Sequence, residues 1–330
     1  MSASARVIIH PSQFPEQVRR DLLVSLRTRQ VNHKFHYDSI KQTQKWLALH
    51  DAYSPARTDD DCAATYDASF TNAAKNLTAS AIHIIGLGCG GGQKDTRLLQ
   101  LLKQSGKSVT YTPSDVSVAM VLVARAAALA VVEDRNCHPL VCDLVTADDL
   151  PGVLDQQPDA DAARLITFFG MIPNFEPQLI LPRLASLVRP QDHLLFSANL
   201  APGADYLAGI ERILPLYDNA LTRDWLLTFL FDLGVERTDG ELLFTIEDDP
   251  AGSGLKRIAA NFHFARPREI QVDGEPFSFQ AGESIRLFFS YRHTPEKIRV
   301  LLATHGLTDL DQWITKSGEE GVFLCRRSAR

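Results

Sequence analysis

The residues with the most chemical promise form a short series. Gly86, Gly88, Gly90, Gly91 and Gly92 fall within seven positions, Lys94 follows, and acids stand at Asp115 and Asp143. Clustered glycines let a backbone bend tightly and let a ligand lie against bare main chain, where a Cβ would collide. An acid at the end of a strand can accept both hydroxyl protons of a ribose. Together these residue types describe a nucleoside site, a layout shared by nicotinamide, flavin and S-adenosylmethionine proteins. Ordered glycines cost about 0.5–1 kcal/mol each, which argues against a loop with no ligand.

Such residues need elements to position them. Ile82–Ile85 is an apolar run suited to a buried strand, and the helix after the glycines carries Leu98, Leu99, Leu101 and Leu102 on one side. Ser108–Thr112 reads as a second strand. A helix over 116–132, a strand at Pro139–Val141, a strand at Arg164–Phe169 and the block FFGMIPNFEP come next. A helix through Leu187 and a fifth strand, His193–Asn199, complete the alternation. The pattern predicts an α/β fold: a doubly wound, Rossmann-like sheet with helices on both faces. Past Asn199 the pattern changes to helix over 203–234 and three β-type runs, Glu241–Glu247, Arg257–Ala265 and Ser284–Arg292. The links DDPAGSG and VDGEPFSFQAGE read as turns. A helix over Pro295–Thr304 and strands at Leu307–Ile314 and Gly321–Arg326 close the chain. The expected division is a cofactor-binding domain of 59–200 and 294–330, with an α+β substrate-binding lid of 1–58 and 201–293. Near the N-terminus, 14–30 and 42–50 predict helices, and Asp59-Asp60-Asp61 predicts a helix cap.

The composition narrows the class. With 330 residues, 45% hydrophobic, 22% charged and net charge −6, the chain reads as an ordinary globular protein and a poor electrostatic partner for nucleic acid. The basic residues Arg27, Arg29, Lys34, Lys41 and Lys45 are expected on a solvated helix face, and His33 and His36 on the surface. Five cysteines without a CxxC pair suggest reduced thiols in a cytoplasm, neither a disulfide framework nor a zinc site, and no histidine spacing suggests a metal. Only three consecutive apolar residues precede Pro11, so no signal peptide is expected, and Ala119–Val132 is too short to span a membrane. The expected partner is a small amino acid or amine, with no nucleic acid, no membrane and a monomeric chain.

A dehydrogenase has no need of an acid after its third strand. A methyltransferase commonly holds the adenine amino group with one, so Asp143 favours S-adenosylmethionine, although a purely capping role for it stays open. On the blocks KFHYD, AYSPAR, GLGCGGGQKDTRLL, YTPSDVS, GMIPNFEP, FQAGESI and FSYRHTPEKI, the chain resembles a known family. It is similar to the S-adenosylmethionine-dependent histidine Nα-methyltransferases of ergothioneine biosynthesis and their fungal indole-amino-acid relatives. The likeness spans Leu22 to Arg326.

That resemblance implies a class I methyltransferase sheet, S-adenosyl-L-methionine as cofactor and S-adenosyl-L-homocysteine as product. It implies cofactor positions at Gly86, Gly88, Gly90, Lys94, Asp115 and Asp143, with Gly170 in the adjoining wall. It places Tyr53 and Asn174 on the amino and carboxylate groups of an amino acid, as the residues that orient the reacting amine. Tyr37 and Ser290 are implied to line the substrate pocket, with Phe288 beside Ser290 on the same strand face; Tyr217, on a helix of the insertion, is expected to pack in the core, with lining of the cleft as the alternative. One departure is informative. The histidine enzymes carry a glutamate two residues before the serine, and here that position is Phe288. A register slip by one residue would present Phe289 instead, with the same apolar outcome. Without the carboxylate an imidazole N–H goes unpaired, so the expected substrate is an amino acid with an aromatic or apolar side chain, and not histidine. Alternatives are a nucleic-acid or protein amino methyltransferase, or a catalytically silent S-adenosylmethionine-binding protein.

Overall fold

The structure is a computed structural model that describes residues 4–157 and 162–328. The chain opens with a two-residue strand β1 (Ile8–Ile9), helix α1 (Pro15–Thr28), a helical turn at His33–His36, α2 (Ile40–Tyr53) and the short α3 (Pro55–Thr58). Then α4 (Asp60–Asn76) starts, with the Asp59 carboxylate accepting the Asp61 amide as its cap.

The alternating region follows: β2 (Ala81–Leu87), α5 (Gln93–Gln104), β3 (Ser108–Asp115), α6 (Val118–Ala128), β4 (Leu140–Val141), α7 (Leu150–Asp155), β5 (Ala163–Phe168), α8 (Pro177–Leu187) and β6 (His193–Asn199). Six of the seven residues of β2 are buried, as a strand covered on both faces requires. Helices α9 (Tyr206–Tyr217) and α10 (Ala220–Asp232) and strands β7 (Gly240–Asp248), β8 (Lys256–Phe264), β9 (Arg268–Val272), β10 (Glu275–Phe279) and β11 (Ser284–Arg292) form the insertion. The chain returns through α11 (Pro295–Thr304), β12 (Leu307–Ile314) and β13 (Glu320–Arg327).

The main sheet has the order β1-β4-β3-β2-β5-β6-β13-β12. Its first six strands run parallel, and β13 joins antiparallel to β6. The strand order reverses between β2 and β5, and the crevice at their carboxyl ends is where an open α/β sheet binds its ligand. One core on each face holds this sheet: Ile85, Phe168, Leu194 and Phe196 with α8 and α11, and Ile84, Leu98, Tyr111 and Leu195 with α4, α5 and α6. The insertion has a third core of its own, in which Leu23 and Leu26 of α1 and Trp225 and Leu230 of α10 pack on β8 and β11.

Three expectations change. Ile8 and Ile9 extend the main sheet beside β4, so the assignment of all of 1–58 to the lid loses its first strand. The link VDGEPFSFQAGE contains most of a hairpin: β9 and β10 pair antiparallel around Asp273 and Gly274, both at positive φ. Among the basic residues, Lys34 is buried to 2% between Asp21, at 2.5 Å, and Asp143, at 3.6 Å. Its neighbours Arg27, Arg29, Lys41 and Lys45 each pair with a carboxylate of the insertion: Glu275, Glu283, Asp232 and Asp224. Among the described residues, no helix is long and apolar enough to cross a membrane.

Candidate active site

A cavity of about 1030 Å³ opens at the strand ends, roofed by α2 and the turn at His33–His36 and closed at one side by β11. Gly88, Gly90, Lys94, Asp115, Asp143 and Gly170 line it together with Tyr37 and Asn174. These positions from the sequence converge. Others do not.

At the β2 end the loop turns through Gly88 and Gly90, at φ +61° and +50°, a region costly for any side chain. The Gly90 amide donates to Asp115 Oδ2 at 3.2 Å and the Ser117 amide to Oδ1 at 3.1 Å. Among the described residues Asp115 forms no salt bridge. Burial raises its pKa to about 6, against the pull of those amides. A half-buried carboxylate with no counter-ion among the described residues, facing a cavity, fits a ligand that brings its own donors, as a ribose diol does. Burial, then the Asp115 charge, raise the Tyr37 hydroxyl beyond its ordinary range, so it is a neutral donor there. Gly86 differs from its expected role. It does not line the cavity, and a Cβ on it would overlap the Asp95 carboxylate, which receives Tyr111 and Thr167 at 2.7 Å.

Lys94, at the cavity wall, donates to the Tyr66 hydroxyl at 2.6 Å and pairs with Glu320 at 3.7 Å. Asp143 accepts the Val145 amide at 2.9 Å as a turn cap, and its other oxygen faces Lys34. The N-terminal segment therefore reaches the Asp143 end of the cavity: Ser12 Oγ accepts the Asp143 amide and Lys34 lies against its carboxylate. Trp46 and His50 of α2 roof the glycine loop with stacked rings 4.8 Å apart. A Cβ on Gly90 would stand 2.9 Å from the Trp46 ring. Burial, then the Lys94 and Arg57 charges, lower His50 to about 4. Neither Trp46 nor His50 carries a sequence signal beyond its spacing on an amphipathic helix.

The other end of the cavity is set by strand register. β11 pairs with β8, and the register shifts between Arg286, opposite Asn261, and Phe288, opposite Ala260. Leu287 is the extra residue of a β-bulge, which places two successive side chains on one face. Leu287 and Phe288 therefore both enter the insertion core, beside Trp225 and Ala260. Arg286 and Phe289 face the cavity. The bulge is held by His36, whose Nε2 donates to the Leu287 carbonyl at 2.7 Å, while Trp225 Nε1 donates to the His36 carbonyl at 2.7 Å. Asn174 lies opposite and gives its amide N–H to the Phe289 carbonyl at 2.9 Å, so its Oδ1 remains as the acceptor.

Several expected pocket residues are thereby corrected. Phe288 is core and does not line the cavity. Ser290 is 1% exposed and accepts from the Tyr217 hydroxyl at 2.8 Å, and Tyr217 in turn accepts from Arg292 at 2.7 Å. Both lie behind the sheet face that meets the cavity, outside it. Tyr53, the last residue of α2, is 54% exposed and also lies outside the cavity. His36 is fully buried. His33 lines the cavity with its ring 5.0 Å from Phe175 and 5.6 Å from Phe289, and burial lowers it to about 3. Both were expected at the surface.

Comparison with known proteins identifies the family. The family model for histidine-specific, S-adenosylmethionine-dependent methyltransferases matches residues 16–222 and 252–327. The chain belongs to that family, and is accordingly an S-adenosylmethionine-dependent methyltransferase built on the doubly wound class I sheet. The N-methyltransferase imqF of Aspergillus flavus is 25% identical over 280 residues, covering 82% of this chain and 73% of that protein. The histidine N-alpha-methyltransferase of Mycolicibacterium smegmatis is 23% identical over 329 residues, covering 94% and 95%. Among solved structures, the magnesium protoporphyrin IX methyltransferase of Synechocystis, with bound SAH, has a TM-score of 0.46 and 13% identity over 89% of this chain and 98% of that one.

Proposed function

We propose that this family member methylates the amino group of an amino acid, or a related small amine, whose side chain is aromatic or apolar and is not imidazole. The observation that carries the reading is the lining of the cavity beyond the cofactor residues. It presents Phe175, Phe289 and the neutral His33 ring, with Asn174 Oδ1 as an acceptor for the amine. The carboxylate at this end, Glu176, is committed to Arg257 at 3.0 Å and to the Tyr291 hydroxyl at 2.5 Å. An imidazole N–H placed here would find Glu176 already taken, and a site without the charged partner a polar group requires discriminates strongly against it.

Asp115 would hold the ribose and Lys94 the carboxylate of S-adenosylmethionine, which supplies an activated methyl group when bound. Asp143 serves the base end and Gly88, Gly90 and Gly170 supply bare main chain. Asn174 and Tyr37 orient the substrate at the junction of the two ends. Positioning two reactants can account for about 7–11 kcal/mol of a barrier, so displacement by a neutral amine needs little else from the protein. The ammonium proton must leave first. His33 is held neutral, but its lowered basicity suits it to accept a hydrogen bond and not to retain a proton, so water at the cavity mouth is the acceptor. Incubation with methyl-labelled S-adenosylmethionine and single free amino acids tests the reading. Label on the amino group of aromatic or aliphatic amino acids is expected, and turnover of histidine alone overturns it.

A further inference from the structure

Among the described residues, Arg286 is a cation of the cavity wall without a salt-bridge partner. Its neighbour Arg257 bridges two carboxylates, Glu176 at 3.0 Å and Glu247 at 3.1 Å, and those carboxylates take further donors from Tyr291 and Asn261. Arg286 has no salt bridge among the described residues, and its side chain donates only to the neutral Gln30 Oε1 at 2.7 Å. Burial, then the Arg257 charge, pull its pKa down, in the direction of an incompletely compensated cation.

Its placement is fixed in advance. The Arg286 amide donates to the Arg29 carbonyl at 3.0 Å and its carbonyl accepts the Val31 amide at 2.9 Å, so the backbone is clamped to the N-terminal segment. The bulge at Leu287 aims the side chain into the cavity, where the guanidinium lies 5.0 Å from the Phe289 ring centroid. That ring belongs to the residue whose carbonyl accepts from Asn174. The half-buried guanidinium has a neutral amide and a ring as its partners and no carboxylate among the described residues, and its planar fork of donors matches a carboxylate.

We propose that Arg286 is the carboxylate anchor of the substrate site, so that the substrate carries both a primary amine, at Asn174, and a carboxylate. This rests on the N-methylation reading above and narrows it from amines in general to free amino acids. Tyr53, outside the cavity, is then not the carboxylate contact. The substrate's apolar side chain lies along Phe289 and Phe175.

The test compares L-tryptophan and L-phenylalanine with their decarboxylated counterparts, tryptamine and phenethylamine, as acceptors from labelled S-adenosylmethionine. The wild type should prefer the acids in kcat/KM by roughly tenfold or more, the scale of one charge-assisted pair. Arg286→Gln should erase that preference by raising the KM of the acids and not by lowering kcat. Arg286→Lys should recover part of it. Cofactor affinity, read by calorimetry, verifies that each variant is folded. Equal use of acids and amines by the wild type, or an unchanged acid KM in Arg286→Gln, overturns the anchor and leaves amine methylation standing. Cofactor binding with no transfer to any of the four acceptors overturns both.

Discussion

The two ends of the cavity, proposed above to hold the cofactor and the substrate, differ in how the chain assembles them. Gly88, Gly90, Lys94 and Asp115 come from one continuous β2–α5–β3 unit, and each residue sits at or beside a strand or helix terminus. His33, Asn174, Arg286 and Phe289 come from three distant segments, and the last two face the cavity only because of the bulge at Leu287. The first end is a property of local sequence. The second is a property of register, and can change its chemistry by one residue without changing the fold.

The largest expected effect lies at the cofactor end. Asp115→Asn removes a carboxylate that would accept two hydroxyls and should weaken S-adenosylmethionine binding roughly a hundredfold by calorimetry, within the range for hydrogen bonds to a charged group. The pH dependence sharpens the point. Burial raises Asp115 from 3.8 to about 6 in the free protein, so its contribution to stability is full below 3.8 and is lost as pH rises through about 6. Hydroxyl donors favour the ionised form, so cofactor affinity should fall as pH drops below about 6, and Asp115→Asn should remove that dependence. An unchanged affinity in the variant would dissolve the contrast between the two ends.

Next in size, Phe289→Ala should raise the KM of an aromatic amino acid roughly tenfold, the value of a few buried carbons, while cofactor affinity holds. A matching loss from Phe288→Ala would show that the other register is the working one. His36→Ala should cost about 1–3 kcal/mol in urea unfolding by orphaning the Leu287 carbonyl, and should raise substrate KM more than cofactor Kd. The smallest effect is expected from Tyr53→Phe. The sequence alone predicts lowered turnover there, but an exposed side chain outside the cavity predicts a change within roughly twofold.

What could be read ahead of the structure follows the same division. The strands from Ala81 to Asn199 announce themselves by apolar runs and glycine punctuation, and Asp115 by its place at a strand end. The family resemblance named Asn174 and Tyr37, and both line the cavity. The resemblance placed Phe288 and Ser290 in the pocket; the two do share a face, but it is Arg286 and Phe289, on either side of the bulge, that meet the cavity. No residue between Arg286 and Phe289 marks the bulge, since it is held from another segment by His36. Lys34 is equally invisible: it looks like part of a basic face until Asp21 and Asp143 close around it. The β9–β10 hairpin was hidden by Pro276 and Gly274, residues that read as loop.

Crystals grown with S-adenosylhomocysteine and L-tryptophan give the most direct measurement. The ribose hydroxyls should lie on Asp115, the amino acid's nitrogen at Asn174 and its side chain against Phe289, with Phe288 remaining in the core. A ribose away from Asp115, or an amino acid seated against Phe288 and Ser290, would contradict a site divided between local sequence and strand register.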